Sequence, residues 1–164
     1  MENILVLSDI HYKYRYALEV LKAHPECQTV IFLGDGTRFV ELLKQEAPEK
    51  AYVTVNGNCD SVFDRYPRDT ILEISGHRLF ICHGDAYKVK GGRGALLNAA
   101  KARDCDIALF GHTHIPKEEY DSESGVYMFN PGSIGDTRSG KYTFGILSLD
   151  EKNVLFSIGE IDDD

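Results

Sequence analysis

Seven side chains with metal-ligating groups occur in short clusters that are separated by apolar runs. They comprise two carboxylates, one amide and four imidazoles, contributed by Asp9, His11, Asp35, Asn58, His83, His112 and His114. This mixture of oxygen and nitrogen donors suits borderline divalent ions such as Mn²⁺, Fe²⁺, Co²⁺, Ni²⁺ or Zn²⁺. Seven ligands are too many for one tetrahedral zinc and about right for two metals that share a bridge. Asp35 is the natural candidate for that bridge, because it is central in chain order and isolated at its strand end.

Each cluster has a simpler structural explanation when it is taken alone. Asp and Asn are frequent at helix N-caps and in turns, which would account for Asp35 and Asn58 separately. A single His83 at the end of a strand is more often a hydrogen-bonded surface residue. His112 and His114 are harder to dismiss, because two histidines with one residue between them can chelate from a loop. The prediction of a metal site therefore depends on all the clusters occurring together, each just after a predicted strand.

The elements that must position these residues alternate between strand and helix in the first half of the chain. Continuous apolar runs predict buried strands over residues 4–7, 30–33 and 51–55, and apolar residues at helical spacing predict helices over 16–23 and 39–44. This βαβαβ order predicts a parallel sheet with right-handed crossovers. In such sheets, ligand sites lie at the carboxyl ends of the strands, which is where the predicted ligands occur.

The second half of the chain predicts a second sheet. Ser75-Gly76-His77 separates two strand-like runs and predicts a hairpin, and residues 94–103 are predicted to form a helix. Strands are predicted over residues 70–74, 78–82, 107–110, 126–129, 143–149 and 154–158. We therefore expect residues 1–164 to form a single domain with two sheets. For His24 and His77 we expect structural roles.

Composition and charge narrow the classes of partner and location. The chain has 164 residues, of which 43% are hydrophobic and 27% charged, and its formal net charge is −8. Duplex nucleic acid is not expected as a partner, because phosphate binding favours a basic surface, although metal cations could still attract an anionic substrate. No apolar segment approaches the roughly 20 residues of a membrane span. Four cysteines without a C-x-x-C pair fit a reducing compartment, so we expect a cytoplasmic protein.

The motifs together resemble those of the calcineurin-like metallophosphoesterases. The ordered set consists of Asp9-x-His11, Gly34-Asp35, Gly57-Asn58-x-Asp60, His83-Gly84 and Gly111-His112-x-His114. The small size of the chain, Cys59 and the later Asn130-Pro131-Gly132-Ser133 resemble the small prokaryotic phosphodiesterase branch. The resemblance extends from Asp9 to about Ser133. It implies an α/β fold, a four-layer αββα sandwich of two mixed sheets flanked by helices.

The resemblance also implies two metal sites and a reaction. The first metal would be held by Asp9, His11, Asp35 and His114, and the second by Asp35, Asn58, His83 and His112. Two cations lower the pKa of a bridging water, and the hydroxide attacks the phosphorus of a phosphodiester in line with the leaving alcohol. We expect two divalent ions per chain, with Mn²⁺ first and Ni²⁺, Co²⁺, Fe²⁺ or Zn²⁺ as alternatives. We expect a direct catalytic part for Asp35, Asn58, His83 and His112.

The chain departs from the larger family at two positions. Cys59 stands where many members carry a histidine that is thought to protonate the leaving group, oriented by the aspartate matching Asp60. Asp85 stands where many members have the second histidine of a His-Gly-His motif. The proton donor and the role of Asp85 are therefore open at the level of sequence.

Three functions are compatible with these motifs. A metal-dependent phosphodiesterase is the leading hypothesis. A protein-interaction scaffold with the same fold is the first alternative, and it is disfavoured because all seven ligand positions are filled. A phosphomonoesterase is the second alternative, and it is disfavoured by the missing histidine at Cys59. The sequence leaves the oligomeric state open, with a homo-oligomer among the options.

Overall fold

Two five-stranded sheets form the framework of the protein, as seen in a computed structural model that describes residues 1–63, 65–138 and 140–162. The first sheet consists of β1 (Glu2–Leu7), β2 (Thr29–Phe32), β3 (Ala51–Thr54), β9 (Tyr142–Leu149) and β10 (Val154–Ile161). Its strand order is β10-β9-β1-β2-β3. The strands β1, β2 and β3 are parallel to one another, and β9 runs antiparallel to both of its neighbours, β1 and β10. The helices α1 (Tyr14–Ala23) and α2 (Val40–Glu46) connect the parallel strands, so the predicted βαβαβ unit is confirmed.

The second sheet combines three central parallel strands with two antiparallel edge strands. Its strands are β4 (Asp69–Ile74), β5 (His77–Cys82), β6 (Ile107–Leu109), β7 (Lys117–Asp121) and β8 (Val126–Asn130). The strand order is β4-β5-β6-β8-β7, and β5, β6 and β8 are the parallel strands. The predicted hairpin is confirmed, because β4 pairs with β5 in antiparallel register.

One strand, β7, is absent from the sequence prediction. Its residues Lys-Glu-Glu-Tyr-Asp form no apolar run, and none of the five is fully buried. It is a strand because its backbone pairs with β8, from Lys117 opposite Asn130 to Asp121 opposite Val126. An edge strand needs only one such partner, so hydrophobic periodicity could not reveal it.

The helices differ from their predicted bounds by a few residues at their ends. α1 begins at Tyr14, two residues before its predicted start, and α2 begins at Val40 after a 3₁₀ turn over Thr37–Phe39. α3 spans Gly94–Ala102, close to the predicted 94–103. Among the described residues, none of the helices has the length and apolar character needed to cross a bilayer.

Apolar side chains alternate between the two faces of the strands and build three layers of core. Ile4 of β1 packs with Leu79 and other residues of the second sheet, whereas its neighbour Leu5 packs with residues of α1 and α2. The other face of the second sheet packs against Leu96 and its neighbours in α3. The sheets therefore lie face to face between helices, and the predicted four-layer αββα sandwich is confirmed.

His77, the first residue of β5, joins the two sheets at the end opposite the predicted ligands. Its Nδ1 lies 2.6 Å from Oδ2 of Asp106, before β6, and its Nε2 lies 2.7 Å from the carbonyl oxygen of Asp150, after β9. Both partners are acceptors, so the ring satisfies them fully only as an imidazolium that donates from both nitrogens. Burial acts to lower the pKa of His77, but these two acceptors outweigh it and the pKa is raised.

We expect His77 to stabilise the fold most below its ordinary pKa of about 6.5 and less at higher pH. The folded protein holds the proton more tightly than the unfolded chain, so this contribution is lost as the pH rises through the raised folded-state pKa. Urea titrations from about pH 6 to about pH 9.5 should show that the stability difference between wild type and His77→Gln shrinks with rising pH. Asp106→Asn should show the same trend, and the exposed Glu123→Gln should show none. A difference that stays constant over this range would contradict the assignment.

Candidate metal centre

Five loops carry the predicted ligands, and the sheet topology brings them to one end of the sandwich. The loops after β1, β2, β3, β5 and β6 carry, in that order, Asp9 with His11, Asp35, Asn58, His83, and His112 with His114. The first three strands are parallel in one sheet, and β5 and β6 are parallel in the other. Their carboxyl ends therefore form a common edge, as expected for a site in an α/β fold.

The backbone of most of these ligands adopts the left-handed conformation. The φ angles are 55° for Asp9, 48° for His11, 62° for Asp35, 70° for His112 and 62° for His114. Asp and His tolerate this conformation better than most residues, but each such position still costs about 1–3 kcal/mol. Five strained positions in three loops of one site indicate that the surrounding fold, and not local preference, turns these side chains inward.

The last residue of β8 and the segment that follows it hold two of the ligand loops in place. The Ser133 hydroxyl donates to the carbonyl oxygen of Asp9 at 2.8 Å. The Asn130 amide donates to the carbonyl oxygen of Gly111 and to the hydroxyl of Thr113, both at 3.0 Å. This segment therefore fixes the backbone of the loops after β1 and β6 and contributes no ligand of its own.

Asp9, His11 and His114 form one group of converging ligand atoms. Nε2 of His114 lies 3.1 Å from Oδ1 of Asp9 and 3.4 Å from Nε2 of His11, and Nε2 of His11 lies 3.7 Å from the same Asp9 oxygen. One carboxylate oxygen and two imidazole nitrogens thus face a common point. This is the donor set that a divalent ion of the borderline class takes.

Asp9, Asp35 and His83 form a second group that is completely buried. Nε2 of His83 lies 3.2 Å from Oδ2 of Asp35 and 3.8 Å from Oδ1 of Asp9. The other ring nitrogen, Nδ1, lies 2.7 Å from the carbonyl oxygen of Leu33 and donates its proton there. Nε2 is buried and makes no hydrogen bond within the described residues. A buried imidazole nitrogen between two carboxylates needs a proton or a cation, so these residues fit a metal ion.

The ionisation of the site follows from this close contact. Burial opposes the negative charge of Asp9, but hydrogen bonds with His11 and His114 and the nearby His83 outweigh it, and the pKa of Asp9 lies well below its ordinary value. Burial acts to lower the pKa of His83, but Asp35 and Asp9 together raise it to about 9. Without a cation the site therefore keeps its carboxylates ionised and draws a proton onto His83.

His112 and Asn58 lie at the margin of these two groups. The His112 ring packs edge-on against the His83 ring with 5.1 Å between centroids, and its backbone N–H donates to Oδ2 of Asp9 at 3.2 Å. Asn58 is exposed, and its amide nitrogen lies 3.6 Å from the sulfur of Cys59. Within the described residues, its side chain makes no hydrogen bond with any of the other six predicted ligands.

Cys59 lies at the site, although the sequence motifs did not suggest it as a ligand. Its sulfur groups with ligand atoms of His11 and Asp35, all within 4.8 Å of one another. Partial burial and the negative charge of Asp35 raise the pKa of the Cys59 thiol to about 11, so the thiol stays protonated at neutral pH. The sequence signals for this placement are its position next to Asn58 and its match to the family position that often carries a histidine.

The Asp60 carboxylate binds backbone N–H groups and not a side chain that could protonate a leaving group. It accepts hydrogen bonds from the N–H groups of Asp35, Gly36, Thr37 and Gly57 at 2.7 to 3.0 Å. These four donors belong to the loops after β2 and β3. Asp60 therefore ties those two loops together, and it is not free to orient an imidazole at position 59.

Two glycines of the motifs are required by close packing against the ligands. A Cβ at Gly57 would lie 2.2 Å from Oδ1 of Asp35, and a Cβ at Gly111 would lie 2.0 Å from Oγ of Ser8 and 2.9 Å from Oδ2 of Asp9. Both distances are far inside van der Waals contact. A side chain at either position would push a ligand carboxylate away from its place.

Asp85 pairs with a cation of a neighbouring loop. Its Oδ2 lies 2.6 Å from Nη2 of Arg68 in the loop before β4. This ion pair gives Asp85 a partner outside the two groups of converging ligand atoms. Asp85, which stands where many family members have the second histidine of a His-Gly-His motif, therefore links two loops and adds no imidazole to the site.

We expect Asp60→Asn to lower the free energy of unfolding by at least about 2 kcal/mol, because hydrogen bonds to a charged acceptor contribute about 1.5–3 kcal/mol each. The variant should also bind Mn²⁺ more weakly, because the loop that carries Asp35 loses its anchor. Asp104→Asn is the control: Asp104 is exposed, and Asn accepts its left-handed backbone, so stability should stay within about 0.5 kcal/mol of wild type. Urea titration and calorimetric titration with Mn²⁺ measure both effects. Wild-type stability in Asp60→Asn would contradict the anchoring role.

Comparison with known proteins agrees with this geometry. Residues 2–152 match the family model described as "Calcineurin-like phosphoesterase superfamily domain". The chain is 30% identical to the probable metallophosphoesterase YsnB of Bacillus subtilis over 153 residues, which cover 90% of the chain and 85% of the relative. It is 28% identical to the phosphodiesterase YfcE of Escherichia coli over an alignment of 180 positions, which covers 94% of this chain and 92% of the relative.

Solved structures show the same fold. A conserved protein of Streptococcus pneumoniae, described as a predicted phosphoesterase, superposes with a TM-score of 0.82 at 22% identity and covers 96% of this chain and 88% of its own. Vps29 of Entamoeba histolytica, solved as a complex with Zn²⁺, superposes with a TM-score of 0.75 at 21% identity and covers 96% and 98%. With the family match over residues 2–152, the chain belongs to the calcineurin-like phosphoesterase superfamily.

Proposed function

We propose that this chain is a phosphodiesterase that depends on two divalent metal ions, with Mn²⁺ as the first choice and Ni²⁺, Co²⁺, Fe²⁺ or Zn²⁺ as alternatives. The observation that carries the proposal is the buried Nε2 of His83, which faces the carboxylates of Asp9 and Asp35 and makes no hydrogen bond within the described residues. When bound, such ions would activate a water and offset the charge that develops on the phosphoryl oxygens.

The proposed ligand sets divide the site between two ions. One set is Asp9, His11, Asp35 and His114, and the other is Asp35, Asn58, His83 and His112. Asp35 belongs both to a group with His11 and to a group with His83, which supports its proposed role as the bridge. Asn58 would have to turn its amide oxygen inward from its contact with Cys59.

The chain orients the proposed ligands through hydrogen bonds to their outer atoms. Oδ2 of Asp9 accepts from the Ser8 hydroxyl and the His112 N–H, which leaves Oδ1 directed at the imidazoles. Oδ1 of Asp35 accepts from the Cys59 N–H at 2.8 Å, which leaves Oδ2 directed at His83. Removing such an outer contact typically reduces metal affinity or activity by about 10- to 100-fold.

The proposed preference for activated diesters follows from the missing acid. The Cys59 thiol is protonated but is a weak hydrogen-bond donor, and Asp60 is engaged with backbone amides. A positioned acid accelerates the loss of a poor leaving group by about 10²–10⁴-fold. We therefore infer faster hydrolysis of diesters with acidic phenol leaving groups than of those with alkyl alcohols.

We also propose a cytoplasmic location. The four cysteines, which all lie within the described residues, are free thiols. Three of them are buried in the core, at Cys27, Cys82 and Cys105. Free thiols in a chain of this size are typical of a reducing compartment.

Wild-type protein saturated with Mn²⁺ and freed of excess metal should contain about two metal equivalents by elemental analysis. Asp35→Asn should contain clearly less, because the proposed bridge loses its charge. Asp85→Asn is the matched control, since this carboxylate pairs with Arg68, and it should retain the wild-type content. One equivalent or less in the wild type would exclude the two-metal site, and an unchanged content in Asp35→Asn would exclude the bridge.

Mn²⁺-loaded wild type should hydrolyse bis(4-nitrophenyl) phosphate, and His83→Ala and His112→Ala should each reduce kcat/KM by at least about 100-fold, because each removes a proposed ligand. His24→Ala is the control and should retain the wild-type rate, because the His24 ring contacts Glu26 and Phe144 and is not among the proposed ligands. Circular dichroism verifies that the variants fold. No hydrolysis by the wild type with Mn²⁺, Co²⁺, Ni²⁺ or Zn²⁺ would favour the scaffold, and faster hydrolysis of 4-nitrophenyl phosphate would favour a phosphomonoesterase.

A further inference from the structure

A groove borders the candidate metal centre on the side of the loop after β6. Its cavity volume is about 640 Å³, and Thr113, which stands between His112 and His114, forms part of its wall. The rest of the wall comes from the loops after β5 and β8 and from the start of β7. The groove is therefore continuous with the loop that carries two of the proposed ligands.

The wall of this groove has the opposite charge to the rest of the protein. It contains Lys90, Arg93, Lys117 and Arg138 and a single carboxylate, Glu119. The chain as a whole has a net charge of −8. A surplus of positive charge on one short surface of an acidic protein attracts anions to that surface.

Two of the four cations contact Glu119, the single carboxylate of the wall, and the other two do not. Glu119 lies 3.5 Å from Nε of Arg93 and 4.0 Å from Nζ of Lys117. Lys90 and Arg138 are exposed, and neither has a carboxylate within salt-bridge distance in the part of the chain that the structure describes. These two side chains are the ones available to an external anion.

Arg93 connects the groove rigidly to the site. Its guanidinium lies over the Phe110 ring, 4.8 Å from the centroid, and one of its terminal nitrogens donates to the carbonyl oxygen of Val89. Phe110 directly precedes Gly111 and the two histidines of the loop after β6. The floor of the groove is thus packed against the same strand end that carries the proposed ligands.

We propose that this groove binds further phosphate groups of the substrate, so that the substrate is a phosphodiester whose one arm carries additional phosphates, as in a short single-stranded oligonucleotide. The proposal rests on the proposed function and specifies its substrate class. A single phosphodiester has one negative charge, which the metal ions alone can neutralise. The cations in the wall of the groove would then have no phosphate to bind. Phosphates along one arm would pair with Lys90 and Arg138 and release bound counterions. The acidic remainder of the surface disfavours a long duplex.

The test measures binding of 5′-fluorescein-labelled tetrathymidylate to the Mn²⁺-loaded protein by fluorescence anisotropy, with the intact label verified by electrophoresis. A tetramer in which methylphosphonate linkages leave one charged phosphate is the ligand control. The double variant Lys90→Gln/Arg138→Gln loses roughly two phosphate contacts, so it should bind the charged tetramer at least about 10-fold more weakly than wild type. For the same reason its slope of log Kd against log salt should be smaller by about 1.4. The methylphosphonate tetramer should bind wild type at least about 10-fold more weakly than the charged tetramer.

Lys22→Gln/Lys152→Gln removes the same charge from exposed positions elsewhere and should leave tetramer binding unchanged. Equal affinity of wild type and Lys90→Gln/Arg138→Gln, or equal binding of the two tetramers, would overturn the groove proposal. Hydrolysis of bis(4-nitrophenyl) phosphate by the wild type is measured separately. Its absence would overturn the proposed function, while the binding comparison would still decide whether the groove takes phosphates.

Discussion

The structure of the site depends on the burial of two negative charges at the junction of the two sheets. Asp9 is fully buried and Asp35 is 3% exposed, so neither carboxylate can rely on water for its solvation. Imidazoles from β1, β5 and β6 loops surround them, and backbone and side-chain donors bind the carboxylate oxygens on the outer side. An uncompensated pair of this kind would be strongly destabilising, and divalent cations offset its charge most completely.

Holding these charges together requires a strained backbone, and the fold compensates for the strain from outside the site. Asp60 gathers four amides from two loops, and Ser133 and Asn130 fix two others. These residues touch no reacting group, yet they decide where the ligand atoms lie. The same logic explains why glycine is needed at positions 57 and 111, where any side chain would displace a carboxylate.

The candidate metal centre bears on the reaction, whereas the cationic groove beside it bears on which substrate is bound. The converging carboxylates and imidazoles are suited to metal-assisted attack on phosphorus and say little about the rest of the substrate. The cationic groove beside the loop after β6 concerns the rest of the substrate, because its charge is surplus to what one phosphodiester needs. The proposed activity on a small activated diester and the proposed recognition of a longer anionic substrate can therefore be tested separately.

The position of each candidate ligand cluster directly after a strand and the order of the first five elements could be predicted from the sequence, because both are local. A buried parallel strand is a continuous apolar run, and a ligand cluster directly after it needs no knowledge of distant residues. The placement of β7, the commitment of Asp60 to four amides and the pairing of Asp85 with Arg68 could not be predicted in this way. β7 is defined by its backbone pairing with β8. The other two contacts join loops that come together only when the strands beside them pair within a sheet. The groove likewise shows only in the tertiary structure, because its cations at positions 90, 93, 117 and 138 come from three separate segments and each of them alone resembles an ordinary surface charge.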